Sequence, residues 1–150
     1  MLISFNFHLI KKTKELSKEI SMEKKQYYKN MFLIAAIWNW LVGLTCLILS
    51  LVYPESITLF GVQMPPSLSF LQILFILISI FGVGFYIVHR NIDSNHGIVQ
   101  MSVLEKVSFF LVFLIYFIIG HVNALVLLLV IVDLIFGILF IEFLLNVKNI

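Results

Sequence analysis

Residues 123–146 read NALVLLLVIVDLIFGILFIEFLLN, and this stretch decides what kind of molecule the chain is. As a helix it is roughly 36 Å long at about 1.5 Å per residue, enough to cross a hydrocarbon core of about 30 Å. It carries one carboxylate, Asp133, near its middle, and a second, Glu142, near its end. A charge at the centre of a bilayer costs about 2.5–3.5 kcal/mol on insertion scales. Such a group is tolerated only if it is paired, protonated or facing water, so the question for the rest of the chain is what meets Asp133.

Composition points to the same solvent. Of 150 residues, 61% are hydrophobic and 12% charged, and that charged share is about half the value for a soluble domain. So few charges cannot coat a water-soluble globule, and lipid is the medium that takes the excess apolar surface. The length suits one domain. The net charge of +2 is too small to imply a nucleic-acid partner. The single cysteine, Cys46, cannot form an internal disulfide or a redox pair. It reads as a small buried hydrophobe.

Working outward from residues 123–146, three further spans emerge. Residues 1–30 form a lysine-rich lead, with Lys11, Lys12, Lys14, Lys18, Lys24, Lys25 and Lys29 offset by Glu15, Glu19 and Glu23. Leu9, Leu16 and Ile20 give it an apolar stripe, so it reads as a solvated or surface-lying amphipathic helix. Met22 heads MEKKQYYKN, a natural start for a membrane protein. One expectation is therefore that residues 1–21 lie upstream of the true start.

The first span covers residues 31–53 and contains no charge. Tyr27, Tyr28 and Tyr53 suit an interfacial aromatic belt. Pro54 stops the helix because it lacks an amide donor and disfavours helix at the preceding residue. The second span covers residues 68–88, the third about 100–120 and the fourth 123–146, followed by a tail at 147–150. The run Gly120-His121-Val122-Asn123 is the break in a long charge-free stretch, so a tight helical hairpin is predicted there. The fold class is all-α, an integral membrane four-helix bundle, with each backbone amide satisfied inside its own helix as lipid requires.

The basic residues set an expected orientation. They lie in the lead, around the middle connection (Arg90 and Lys106) and in the tail (Lys148), while the first and third connections hold none. By the positive-inside rule both termini and the middle connection are cytoplasmic, in a bacterial inner membrane.

Depth arithmetic then predicts partners for Asp133. Taking Gly120–Asn123 as the outer surface, Asp133 lies roughly 16 Å down, Glu142 roughly 30 Å and Lys106 roughly 21 Å. Antiparallel pairing puts Lys106 about opposite Gly137, with Asp133 one turn further out and Glu142 a little over one turn further in. Nine residues separate the two carboxylates, which places them on opposite helix faces at about 100° per residue. Lys106 with Asp133 is the expected pair, while Glu142 and Glu105 reach interfacial water. The alternatives are a polar pocket or proton-handling site, a neutralised structural pair, and an Asp133 that burial keeps neutral.

Asn39, Gly43, Cys46 and Ser50 share one face of the first helix, a pattern that usually marks helix packing; Asn39 is also a candidate pocket residue. Gln72, Ser79, Val83 and Tyr86 form a similar stripe on the second helix, with Gly82 and Gly84 as packing residues. Trp38 and Trp40 read as packing residues, and Tyr116 as packing or lipid-facing. His89, Arg90 and His96 form a candidate cytoplasmic cluster. No spacing there makes a metal motif, and no phosphate loop, nucleophile elbow or HExxH motif occurs. Neither a metal nor a cofactor is expected.

The segments FGVGFYIVHRNIDSNHGIVQMSVLEKVSFFLVF (residues 81–113) and LLLVIVDLIFGILFIEFL (residues 127–144) resemble small bacterial four-span membrane proteins of the DoxX-like type. The resemblance covers about residues 31–146. It implies a four-helix bundle, singles out Arg90, Lys106 and Asp133, and implies no agreed activity.

Three functions remain open. A structural or partner-binding membrane component, self-associating or bound to another membrane protein, needs the fewest assumptions. A small proton-linked carrier would use Asp133 at the midplane, although the broken helix common in such sites is missing from the pattern. A membrane enzyme acting on a lipid or other apolar ligand would use Asp133 or Glu142 as general acid or base.

Overall fold

The computed structural model describes the backbone of residues 2–62 and 64–147, and the side chains of 12, 13, 15–62 and 64–147. Lys148 of the tail lies outside these residues, as do the side chains of His8, Leu9, Lys11 and Lys14. Four long helices account for the fold: α1 (Leu2–Val52), α2 (Ser69–Arg90), α3 (His96–Ile118) and α4 (Ala124–Asn146), with a short 3₁₀ helix at Pro54–Phe60. All four are long and apolar enough to cross a membrane.

The chain breaks where local chemistry requires it. α1 stops just before Pro54. Gly61, at φ 73°, closes the 3₁₀ helix in a left-handed conformation that suits glycine. α3 ends in a Schellman turn: Gly120 has φ 79°, its N–H reaches Phe117 O at 3.0 Å, and the His121 N–H reaches Tyr116 O at 2.8 Å. Asn123 then caps α4, its Oδ1 accepting from the N–H groups of Leu125 at 3.1 Å and Val126 at 3.3 Å. The same side chain donates to Leu59 O at 2.8 Å, so the α3–α4 hairpin holds the 3₁₀ helix against its own end.

The lysine-rich lead is not a separate element. No Gly or Pro occurs before Gly43, so nothing interrupts α1. The lead runs into the first span as one continuous helix, with Leu16 and Ile20 exposed.

The bundle is two close hairpins, α1 with α2 and α3 with α4. Small residues set the first approach. A Cβ on Gly82 would stand 2.7 Å from the Trp40 ring and 3.1 Å from Ala36 O, and one on Gly43 would overlap Ser79 Oγ. Gly82 and Trp40 are thus packing residues, as their sequence context implies. Val83, half exposed, turns away from the face that Ser79 presents to α1. The stripe read on α2 is therefore not a single packed face.

The hairpins meet mainly through large side chains near the α2–α3 connection. Phe32 stacks on Phe140 at 5.0 Å and meets Phe143 edge-on at 5.1 Å, while Phe85 lies 4.9 Å from Phe140. Tyr28, Ala35, Val88 and Val99 complete this core. Outside, Ile34, Leu41, Ile48, Ile73, Ile80, Leu111, Ile118, Leu128, Ile138 and Leu145 are all exposed. An apolar surface running along all four helices is what lipid contact demands.

Gly82→Leu is expected to lower stability by about 1–3 kcal/mol, since overpacking forces the helices apart. Gly97→Ala, where nothing lies within 4 Å of the added carbon, is expected to be neutral or slightly stabilising. Thermal unfolding of the two variants in one detergent checks both.

Candidate functional site: a buried lysine beneath an apolar cavity

Above the aromatic core lies a polar layer built on Lys106. This lysine is 1% exposed. Its Nζ donates to Asp133 Oδ1 at 2.8 Å and to Asn39 Oδ1 at 3.2 Å. It also lies 5.7 Å from the centre of the Phe85 ring, within cation–π range. Asn39 in turn donates to Ile78 O at 3.1 Å. One ammonium therefore touches something from every helix: Asn39 on α1, Phe85 on α2, its own α3 and Asp133 on α4.

The hairpin register explains the meeting. A Cβ on Gly137 would stand 3.3 Å from Lys106 Cβ, so Lys106 crosses α4 at the level the length arithmetic gives. Glycine there lets the lysine backbone approach, and the side chain reaches one turn outward to Asp133. Glu142 faces elsewhere: it accepts from Tyr28 Oη at 3.1 Å and takes no part in the Lys106 layer. The reason is the nine-residue offset, which turns Glu142 toward α1 near the core.

Glu105 corrects the sequence reading in the opposite direction. Expected at interfacial water, its side chain is only 14% exposed, with Oε2 3.6 Å from Lys106 Nζ. That oxygen is buried and takes no hydrogen bond. The lysine stem folds back far enough for its ammonium to come near the neighbouring carboxylate, a matter of rotamer that spacing cannot reveal. Two carboxylates thus flank one ammonium.

On the other side of this layer the helices leave a cavity of about 130 Å³, lined by all four of them and by the 3₁₀ helix. Asn39 and Asp133 form its polar floor, and Trp38, Phe75 and Phe113 are among its apolar walls. Cys46, half-buried, also lines it. Asp133 Oδ1 is taken by Lys106, while its other oxygen has no hydrogen bond among the described residues. At the roof, Ser56 is 5% exposed and its hydroxyl is buried without a hydrogen-bond partner among the described residues. Nothing in the sequence singled out Ser56, because its role depends on the 3₁₀ helix folding inward over the bundle.

The histidine and arginine positions near the middle connection serve as ties. His89 Nδ1 donates to Lys29 O at 2.8 Å, His96 Nε2 to Ile92 O at 3.3 Å, and Arg90 Nη1 to Tyr86 Oη at 3.4 Å. They do not converge on a common point. Tyr116 is half exposed on the lipid-facing side. Among the described residues no three His, Cys, Asp or Glu side chains are arranged to hold a metal.

The layer predicts a strongly non-additive set of variants. Lys106→Met removes the only cation beside two carboxylates and is expected to cost about 3–5 kcal/mol, whereas Asp133→Leu leaves Lys106 beside Glu105 and is expected to cost less. The variant that also removes both carboxylates, Lys106→Met with Asp133→Leu and Glu105→Gln, is expected to recover most of the loss of Lys106→Met, measured by thermal unfolding in detergent and analysed against the single variants. No family model, curated protein or solved structure matches the chain, so the functional reading rests on this arrangement.

Proposed function

We infer that the protein binds an apolar ligand within the membrane, in the cavity above the Asn39–Lys106–Asp133 layer. The observation that carries this reading is the cavity floor. Polar side chains on four-helix packing surfaces are usually closed off by their partners, yet Asp133, with one oxygen unbonded among the described residues, lines an apolar space large enough for a small ring. A pocket with apolar walls and a few convergent polar groups is the usual form of a ligand site. Intramembrane ionisable groups are, by default, functional.

The reading places the protein in a bacterial inner membrane with both termini and residues 91–95 cytoplasmic, on the distribution of Lys and Arg. The DoxX-like resemblance agrees with a four-helix bundle of this kind and adds no activity. A carrier and a membrane enzyme both begin with this binding step. A purely structural role is favoured by one observation, that the hydrogen bonds of Lys106 are internal and join three helices.

Native mass spectrometry of the detergent-extracted protein, wild type beside Asp133→Asn, separates these. A co-purifying small molecule that the variant loses is the expected result. Only bulk lipid on both proteins, in the same oligomer, supports the structural role instead. Orientation is checked in a Cys46→Ala background: Glu55→Cys is expected to react with an impermeant maleimide added outside spheroplasts, and Asn91→Cys only after lysis.

A further inference from the structure

The charge count of the layer and the character of the cavity walls point to one class of ligand. Lys106 supplies a single positive charge, with Asp133 Oδ1 at 2.8 Å and Glu105 Oε2 at 3.6 Å. α1 and α2 bring Asn39 and Phe85 to the same layer, neither of which ionises. The layer therefore holds two carboxylates against one ammonium, and the second carboxylate must either take a proton or meet a further cation. Glu105 Oε2 is buried with no hydrogen bond among the described residues.

The cavity above is suited to supply what is missing. Trp38, Phe60, Phe75, Phe109 and Phe113 line it, and Asp133 is the one charged residue among its described lining residues. Aromatic faces attract cations, most strongly where water is excluded. An anion would add to the negative charge of the layer, a neutral molecule would leave the second carboxylate to take a proton, and a cation would pair with it directly. At the roof, the Ser56 hydroxyl is likewise buried with no hydrogen-bond partner among the described residues.

We propose that the cavity takes a small lipophilic monocation, a single ring or short chain bearing one ammonium group, whose charge completes the balance left by Glu105 and Asp133 against Lys106. The ammonium sits at the floor and donates to the free oxygen of Asp133, with the apolar body among the aromatic walls. The volume of about 130 Å³ limits the enclosed part to roughly one ring, the scale of cavities known to hold benzene. This inference rests on the ligand-binding reading above and specifies the chemistry of the same site.

The test uses the full chain in nanodiscs of neutral phosphatidylcholine and three probes of one shape: para-bromobenzylammonium, para-bromobenzyl alcohol and para-bromobenzoate. Bromine quenches indole fluorescence at short range, and the Trp38 signal is the difference between wild type and Trp38→Phe. The ammonium probe is expected to quench saturably, with a Kd at least about tenfold below those of the other two. Glu105→Gln removes the surplus charge without touching the cavity lining. It is expected to bring the ammonium and alcohol probes to within about twofold of each other while alcohol binding stays unchanged. If alcohol or benzoate binds as well as the ammonium in the wild type, the cation assignment is overturned while ligand binding stands. A preference for the ammonium that persists in Glu105→Gln overturns the charge-balance argument. If no probe quenches saturably, both the cation assignment and the binding reading fall.

Discussion

The structure depends on how one ammonium group is satisfied in a medium without water. Lys106 is almost wholly buried, and a lone charge there would cost far more than the marginal stability of a small domain. It persists because Asp133 and Asn39 hold its protons and the Phe85 ring lies alongside. Each of these comes from a different helix. In lipid there is little hydrophobic force to draw helices together, and packing and polar contacts carry more of the specificity. A lysine that needs partners on α1 and α4 therefore helps to define which helices meet and at what height.

The remaining architecture divides around this layer. Toward the α2–α3 connection the space is filled by Phe32, Phe85, Phe140 and Phe143, each fully buried and stacked or edge-on to another. Toward the other end the helices leave a half-open cavity. The difference is partly one of residue size. Gly43 and Gly82 let α1 and α2 approach closely, but the partner hairpin is kept at side-chain distance by the bulk between them. The 3₁₀ helix, held by Asn123 through Leu59 O and by the Asn123 N–H to Phe60 O at 3.2 Å, covers the open end. A dense half and a hollow half, with a charged floor between them, are a different object from a uniformly packed bundle.

The site was only partly legible in the sequence. Helix rise put Lys106 within about a turn of Asp133 and of Glu142, because a tight hairpin fixes the relative heights of residues on its two arms, and the nearness of Glu142 to interfacial water chose Asp133. Asn39 was visible as a polar residue on a small-residue face, though not as an acceptor for Lys106. Glu142 was expected on the opposite face of α4 from Asp133, and there it accepts from Tyr28, a partner that spacing along α4 does not name. Glu105 and Ser56 were out of reach for different reasons. The place of Glu105 depends on a side-chain rotamer, and that of Ser56 on a short helix folding inward from a connection that reads as an ordinary loop.

By itself the sequence determined the solvent, the number of spans, their approximate ends and the relative heights of Lys106 and Asp133 on the α3–α4 hairpin. These follow from composition, from the rise of a helix and from Pro54, Gly120 and Asn123, all of which act within a few residues of their own position. Only the tertiary structure decided which helix faces meet, that two carboxylates share one lysine, and that the space above them stays open. Those outcomes depend on rotamers and on contacts between residues far apart in the chain. No periodicity records them, because the same four apolar helices would satisfy their backbones equally well in another arrangement.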